Sequence, residues 1–401
     1  MKAPVFSGNE PVSGETVQII TIPCYNEPDI ASTIHSLLAC DRPQGAVEVL
    51  VLVNAYTQSS QEILATNHNS YRELQNLASR FNTERFKIIP LYTDRIVYKY
   101  PGAGIPRKMV MDEAVRRLAS IDNDQGVIIS LDADCLVEKN YLTAIENAFS
   151  DEKVCVATLE FHHPVAHLSS KDPLRKSMEL YELYLRYYRA CLEYCGYLYP
   201  YYTIGSAMAF RMSSYTKTGG MGQQAAGEDF YFLQKVFPLG KVVHIDSTKV
   251  YPAARFSDRV PFGTGPALKK MAEEECDVKL TYSLDSFRSL KLLFEALETF
   301  YEKDLSGVKM ELAQLPVYLY EFLMADDFLS HWEEIKSNAS SFSAFRKRFF
   351  QYFNAFKIVK YLNYVHPERI PLKDLREEYE LLMTSTLSKE PGHQWLISCM
   401  K

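Results

Sequence analysis

The sequence predicts an α/β fold: a doubly wound, mostly parallel sheet followed by an α-helical C-terminal region. Three observations carry that reading. Short apolar, β-branched runs alternate with helix-period segments over the first 161 residues. That β-α-β-α order is what parallel strands joined by crossover helices require. After about residue 267 the strand-like runs cease, and amphipathic helical patterns continue to the end.

The elements follow in order. Residues 17–23 read as a buried strand. Residues 29–40 form a helix with Ile30, Ile34, Leu37 and Leu38 on one face. Residues 47–53 are a second strand, 59–81 a long polar helix and 86–91 a third strand. Residues 106–121 are a helix with proline in its first turn. Residues 127–131 are a fourth strand, 140–149 a helix and 154–161 a fifth strand. Alternation then stops. Residues 173–199 read as one helix rich in Tyr and Leu, 203–211 as a strand and 218–222 as a Gly-rich turn. A helix opens at Gly227-Glu228-Asp229, short strands follow at 241–245 and 249–251, and 254–266 is an irregular Arg/Gly/Pro loop. No low-complexity linker separates the helical region, so residues 1–266 and 267–401 are expected as two units, the second packed on the first.

Composition narrows the function. The chain has 401 residues, 47% of them hydrophobic, with 27 Tyr and 22 Phe. A net charge of -6 provides no basic field, which argues against nucleic acid as a partner. The eight cysteines show no CxxC pair and no zinc spacing, as expected of free thiols in a reducing, cytoplasmic setting. No signal peptide and no membrane-spanning run is evident.

The chemistry gathers at strand exits. Residues 127–131 run straight into Asp132-Ala133-Asp134. In open α/β sheets the C-terminal edge of the strands is where ligands bind. Two carboxylates there supply hard oxygen ligands for Mg²⁺ or Mn²⁺, which also grips phosphates. The first strand ends in Pro23-Cys24-Tyr25-Asn26-Glu27, where Asn26 or Asp29 is equally an N-cap. The second ends at Asn54. After the third, glycines at 102 and 104 precede Arg107 and Lys108 at a helix start, suited to phosphate or simply to solvent. Glu228 and Asp229 open another helix, so they are either first-turn caps or a general base with its neighbour. Tyr181, Tyr184, Leu185, Tyr188 and Leu192 share one helical face, which reads first as core and second as a ligand-stacking or membrane-surface face.

Taken together, P-C-Y-N-E, L-D-A-D, G-G-M-G and G-E-D-F, in that order across residues 17–262, resemble the family 2 glycosyltransferases of the GT-A fold. The resemblance implies a metal-dependent, inverting transfer of a sugar from a nucleotide-diphospho-sugar to a hydroxyl acceptor. That acceptor is a saccharide, a lipid-linked molecule or a small molecule. It implies that Pro23, Tyr25, Glu27 and Asn54 line the base and ribose pocket and that Asp132 faces the ribose or metal. Asp134 would hold Mn²⁺ or Mg²⁺, Asp229 would be the base and Glu228 would help place the acceptor. Arg107, Lys108, Arg255 and Arg259 would meet the phosphates, the last two from a mobile loop. Departures accompany it. Asn54 replaces the usual acid, and Pro252 stands where many relatives carry a third metal ligand, His. The rival readings are a nucleotidyltransferase of similar fold and an inactive GT-A binding module. A cytoplasmic enzyme is expected, compatible with peripheral membrane contact or homo-oligomers.

Overall fold

The computed structural model describes residues 10–97, 102–224, 226–256, 268, 269, 272 and 279–387. The chain divides into two compact units. One holds Met1–Met178 and Tyr202–Glu273, the other Glu179–Tyr201 and Glu274–Lys401.

The first unit is built on one sheet. Its strands are β1 (Thr16–Cys24), β2 (Ala46–Tyr56), β3 (Phe86–Ile96), β4 (Val127–Ser130), β5 (Cys135–Val137), β6 (Val154–Phe161), β7 (Met208–Arg211) and β8 (Lys241–Pro252). Their order is β3-β2-β1-β4-β7-β6-β8-β5. β3, β2, β1 and β4 run parallel, β7 is antiparallel to β4 and β6, and β6 is parallel to β8. The helices between them are α1 (Ile30–Leu38), α2 (Gln61–Phe81), α3 (Gly104–Ala119), α4 (Tyr141–Ala148), α5 (Pro173–Tyr194), α6 (Met212–Lys217) and α7 (Glu228–Val236). The α/β class, the mostly parallel sheet and the helical C-terminal region are as the sequence predicts.

Every residue of β2 is buried, which explains its mainly apolar run: a central parallel strand has no solvent face. Its one charge, Glu48, receives two bonds from Arg117 of α3, at 2.6 and 2.8 Å, with both side chains 1% exposed. Burial of such a pair is tolerated only with this forked geometry. It fixes α3 on the sheet, and α3 carries Arg107 in its first turn. Asp29 does cap α1, accepting from Ser32 N at 3.3 Å and Ser32 Oγ at 2.8 Å.

Several boundaries differ from expectation. β7 begins at Met208, and residues 203–207 form a turn that carries Gly205. β5 was not expected. It pairs antiparallel with β8, more than 100 residues later, so no local pattern announces it. The two short strands expected at 241–251 are one strand with a register shift against β6. The Tyr-rich helix ends at Tyr194 rather than 199, and from Glu179 onward it belongs with the C-terminal helices. Ring contacts explain this regrouping. Tyr187 and Tyr188 stand edge-on to Phe287 at 6.2 and 6.0 Å, and Tyr197 to Phe350 at 5.5 Å. Of the face expected to be core, Leu192 is buried and Tyr188 meets Phe287, whereas Tyr181, Tyr184 and Leu185 are half-buried; the fully buried ring of the helix is Tyr187.

The rest of the second unit is α8 (Leu284–Glu295), α9 (Leu297–Glu302), α10 (Leu305–Leu312), α11 (Val317–Ala325), α12 (Phe328–Ser337), α13 (Phe342–Tyr352), α14 (Ala355–Val365) and α15 (Leu375–Leu387). Two short strands not foreseen in this region, Leu280–Thr281 and Lys373–Asp374, pair antiparallel. Leu290, Leu293, Leu319, Phe349 and Phe353 are buried. Among the described residues six cysteines are free and buried, and no helix is long and apolar enough to cross a membrane.

Candidate active site

The C-terminal ends of β1, β2, β4 and β8 share one edge of the sheet, and the start of antiparallel β7 lies on the same edge. Most of the sequence-predicted site residues leave the strands there. Two guanidinium groups organise them.

Arg107 is the first. Its side chain is 5% exposed. Nε donates to Glu228 Oε1 at 3.0 Å, Nη1 to Ser130 Oγ at 2.8 Å and to the Gly205 carbonyl at 3.0 Å, and Nη2 to Asp132 Oδ1 at 2.9 Å. Burial alone would push this guanidinium down. The carboxylates of Asp132, Glu228 and Asp229 outweigh burial and hold it above its ordinary value, so it stays charged. One planar group thus joins the acid that follows β4 to the acids that open α7. A side chain at Gly205 would crowd this junction: a Cβ would lie 2.9 Å from Arg107 Nη2 and 3.1 Å from Asp229 Oδ2, so the guanidinium would have to shift.

Glu228 and Asp229 take their places because Gly227 turns the chain with φ of 72°, a left-handed conformation that suits glycine. Asp229 Oδ1 accepts from Phe230 N at 2.7 Å, within the first turn of α7. Asp229 is half-buried. Burial pushes it up to about 7, Glu228 adds to the rise, and Arg107 opposes it. That value suits a group meant to take up a proton near neutral pH.

Arg255, just past β8, is the second organiser. Its Nη2 donates to Glu27 Oε2 at 2.7 Å and also to Asp134 Oδ2. Glu27 is buried, and its other oxygen accepts from Asp29 N at 3.2 Å. Desolvation would lower Arg255, but its bonds to Glu27 and Asp134 raise it. The acids expected around the nucleotide are therefore held by an arginine from a loop more than 100 residues away.

The remaining expected residues are placed as follows. Tyr25 is half-buried, with its ring edge-on to Tyr56 at 5.9 Å, and Pro23 is half-buried beside it in sequence. Asn54 is fully buried, and neither amide atom has a partner. Lys108 is turned to Asp112 on its own helix, at 2.8 Å. Arg259 lies outside the described residues, as does most of the loop expected to be mobile. Pro252 pairs with Cys135 in the β5–β8 ladder, next to Asp134. His244 is bonded sideways to Thr158 at 3.0 Å and Glu160 at 3.2 Å.

Sequence reasoning missed Ser130, Gly205 and Asn67. Asn67, on α2, accepts from Asn26 N at 2.9 Å and donates to the Asn54 carbonyl at 2.8 Å. It thereby holds the turn in which Asn26 adopts φ of 49°. Ser130 was visible as a polar residue inside an otherwise apolar strand. Gly205 and Asn67 carried no signal.

Two residues suit a divalent cation. Asp132 and Asp134 are 38% and 24% exposed, so solvent reaches both carboxylates. No group of three His, Cys, Asp or Glu side chains able to hold a metal occurs among the described residues. One oxygen of each aspartate already accepts from a guanidinium, Asp132 Oδ1 from Arg107 and Asp134 Oδ2 from Arg255.

No family model matches the chain, and no curated protein matches it. Among solved structures the chain is similar to residues 1–349 of S. aureus TarS in complex with UDP-GlcNAc. The identity is 15%, covering 84% of this chain and 91% of that one, with a TM-score of 0.41. It is also similar to the longer S. aureus TarS chain, at 12% identity over 84% of this chain and 55% of that one, TM-score 0.40. A third similar structure is GalNAc-T7 with UDP, GalNAc and Mn²⁺, at 15% identity, 81% and 59% coverage and TM-score 0.35.

Proposed function

We propose that this chain is a glycosyltransferase of the GT-A fold, family 2-like, moving a sugar from a nucleotide-diphospho-sugar to a hydroxyl acceptor with inversion. The observation that carries the reading is the Arg107 junction. It sets the strand-exit acid Asp132 beside Glu228 and Asp229 on the ligand edge of the sheet. A donor-side acid and a buried carboxylate titrating near neutrality are what a single-displacement transfer needs.

In this mechanism Asp229 Oδ2 takes the proton from the acceptor hydroxyl, Oδ1 being engaged by Phe230 N–H. The freed oxygen bonds to the anomeric carbon as the bond from that carbon to the diphosphate breaks, and the nucleoside diphosphate leaves. Glu228, pinned by Arg107, orients the acceptor side. Asp132 and Asp134 would hold Mg²⁺ or Mn²⁺, whose charge offsets that of the leaving diphosphate. Arg255 adds a cation at the same place. Tyr25 and Glu27 line the nucleoside end, with Asn54 buried behind them. The setting is cytoplasmic, with the acceptor a saccharide, a lipid-linked molecule or a small molecule.

Incubation with UDP-, GDP- and ADP-sugars and Mn²⁺ tests this. One donor should release free nucleoside diphosphate by slow hydrolysis, water standing in for the acceptor. Release of pyrophosphate from a nucleoside triphosphate and a sugar phosphate would instead assign a nucleotidyltransferase.

A further inference from the structure

The resemblance places Arg107 at the donor phosphates, but its surroundings assign it other work. Four of the five guanidinium N–H groups are already donated within the protein, and the side chain is 5% exposed. At most one N–H is left for a phosphate, on a side chain almost closed to solvent. Its partners come from four places in the chain: the end of β4 at Ser130, the Asp132 turn, the turn before β7 at Gly205 and the first turn of α7 at Glu228.

We infer that Arg107 is a positioning residue, the rigid tie that fixes the donor-side carboxylate of Asp132 relative to the acceptor-side pair Glu228 and Asp229. This deepens the proposed function and rests on it. A guanidinium can do this because its N–H groups point in fixed coplanar directions, toward acceptors on three sides at once. A lysine ammonium offers its three protons from a single atom and cannot span the same acceptors. The Glu48–Arg117 pair anchors α3 from below, so the tie is itself attached to a fixed element. In such a site a displacement of about 1 Å can lower the rate by about 10²-fold.

The test compares turnover with binding in Arg107→Lys, which keeps the positive charge. Donor hydrolysis by the full chain is measured with Mn²⁺ and whichever of UDP-, GDP- or ADP-glucose the parent cleaves. Donor affinity is measured in parallel by calorimetry. The expected result is a fall in turnover of about 10²-fold, with the dissociation constant within a few-fold of the parent. The double variant with Glu228→Gln should be no slower than the slower single variant, because both break one tie. Turnover within threefold of the parent overturns the tie. A loss of affinity matching the loss of turnover overturns it too, making Arg107 a donor ligand. If Arg107→Lys does not fold, Ser130→Ala and Glu228→Gln carry the test. Slower turnover at parental affinity supports the tie, and unchanged turnover overturns it. A parent chain that neither binds nor cleaves any of the donors refutes the functional reading itself, and the positioning role with it.

Discussion

Asp229→Asn is expected to lower sugar transfer, or the slower donor hydrolysis, by about 10² to 10⁴ while leaving donor affinity within a few-fold of the parent. A carboxamide fills the same space but cannot accept the hydroxyl proton. The parent should also show a pH limb. Its activity should rise with pH through about 7, because the buried carboxyl must ionise before it can act. The variant should lack that limb. Stability moves the opposite way. The folded-state value lies above the ordinary value of about 3.9, so the folded chain binds the proton more tightly than the unfolded chain. This group's contribution is therefore present at low pH and is lost as pH rises from about 4 to about 7. Asp229→Asn should accordingly melt higher than the parent at pH 8, with the gap closing toward pH 4. Turnover within a few-fold of the parent would reduce Asp229 to a first-turn residue of α7.

Asp134→Ala should abolish the Mn²⁺-dependent part of donor binding and leave the fold intact. The residue lies in a turn, its side chain is 24% exposed, and no core packing depends on it. Arg255 keeps Glu27 as a partner when Asp134 is truncated, so no buried charge is stranded. The loss should exceed the 10- to 100-fold typical of a residue that only supports a ligand. Titration calorimetry with donor, with and without Mn²⁺, reads it directly. An unchanged metal-dependent affinity removes Asp134 from the site.

What the sequence made legible follows physical lines. The central strands announced themselves because β1, β2 and β4 are almost wholly buried and so are mainly apolar, with Gln18, Glu48 and Ser130 among the few polar exceptions. The acids at their exits stood out against that background, which is why Asp132, Asp134 and Asp229 could be named from the chain alone. What could not be read was pairing. Nothing near Arg107 says that its partners are Ser130, Gly205 and Glu228, the last 121 positions away. Position in the chain suggested the phosphates, whereas the fold turns its N–H groups inward. Arg255 is the converse case. Its charge was noticed, but its grip on Glu27 and Asp134 depends on β8 ending beside β5, and that three-residue strand left no local signature. In the Tyr-rich segment Tyr188 and Tyr197 pack on Phe287 and Phe350, about a hundred residues or more further on, so the unit boundary moved.

The proposed function stands or falls most directly on donor binding by the unmodified chain. Thermal melting is followed with UDP-, GDP- and ADP-sugars, each with and without Mn²⁺. The proposal predicts that one nucleotide class raises the melting temperature and that Mn²⁺ enlarges the rise, with a stabilisation of about 2.7 kcal/mol at a donor concentration 100 times the dissociation constant. A chain whose melting is unmoved by every donor, with Mn²⁺ or without, would contradict it.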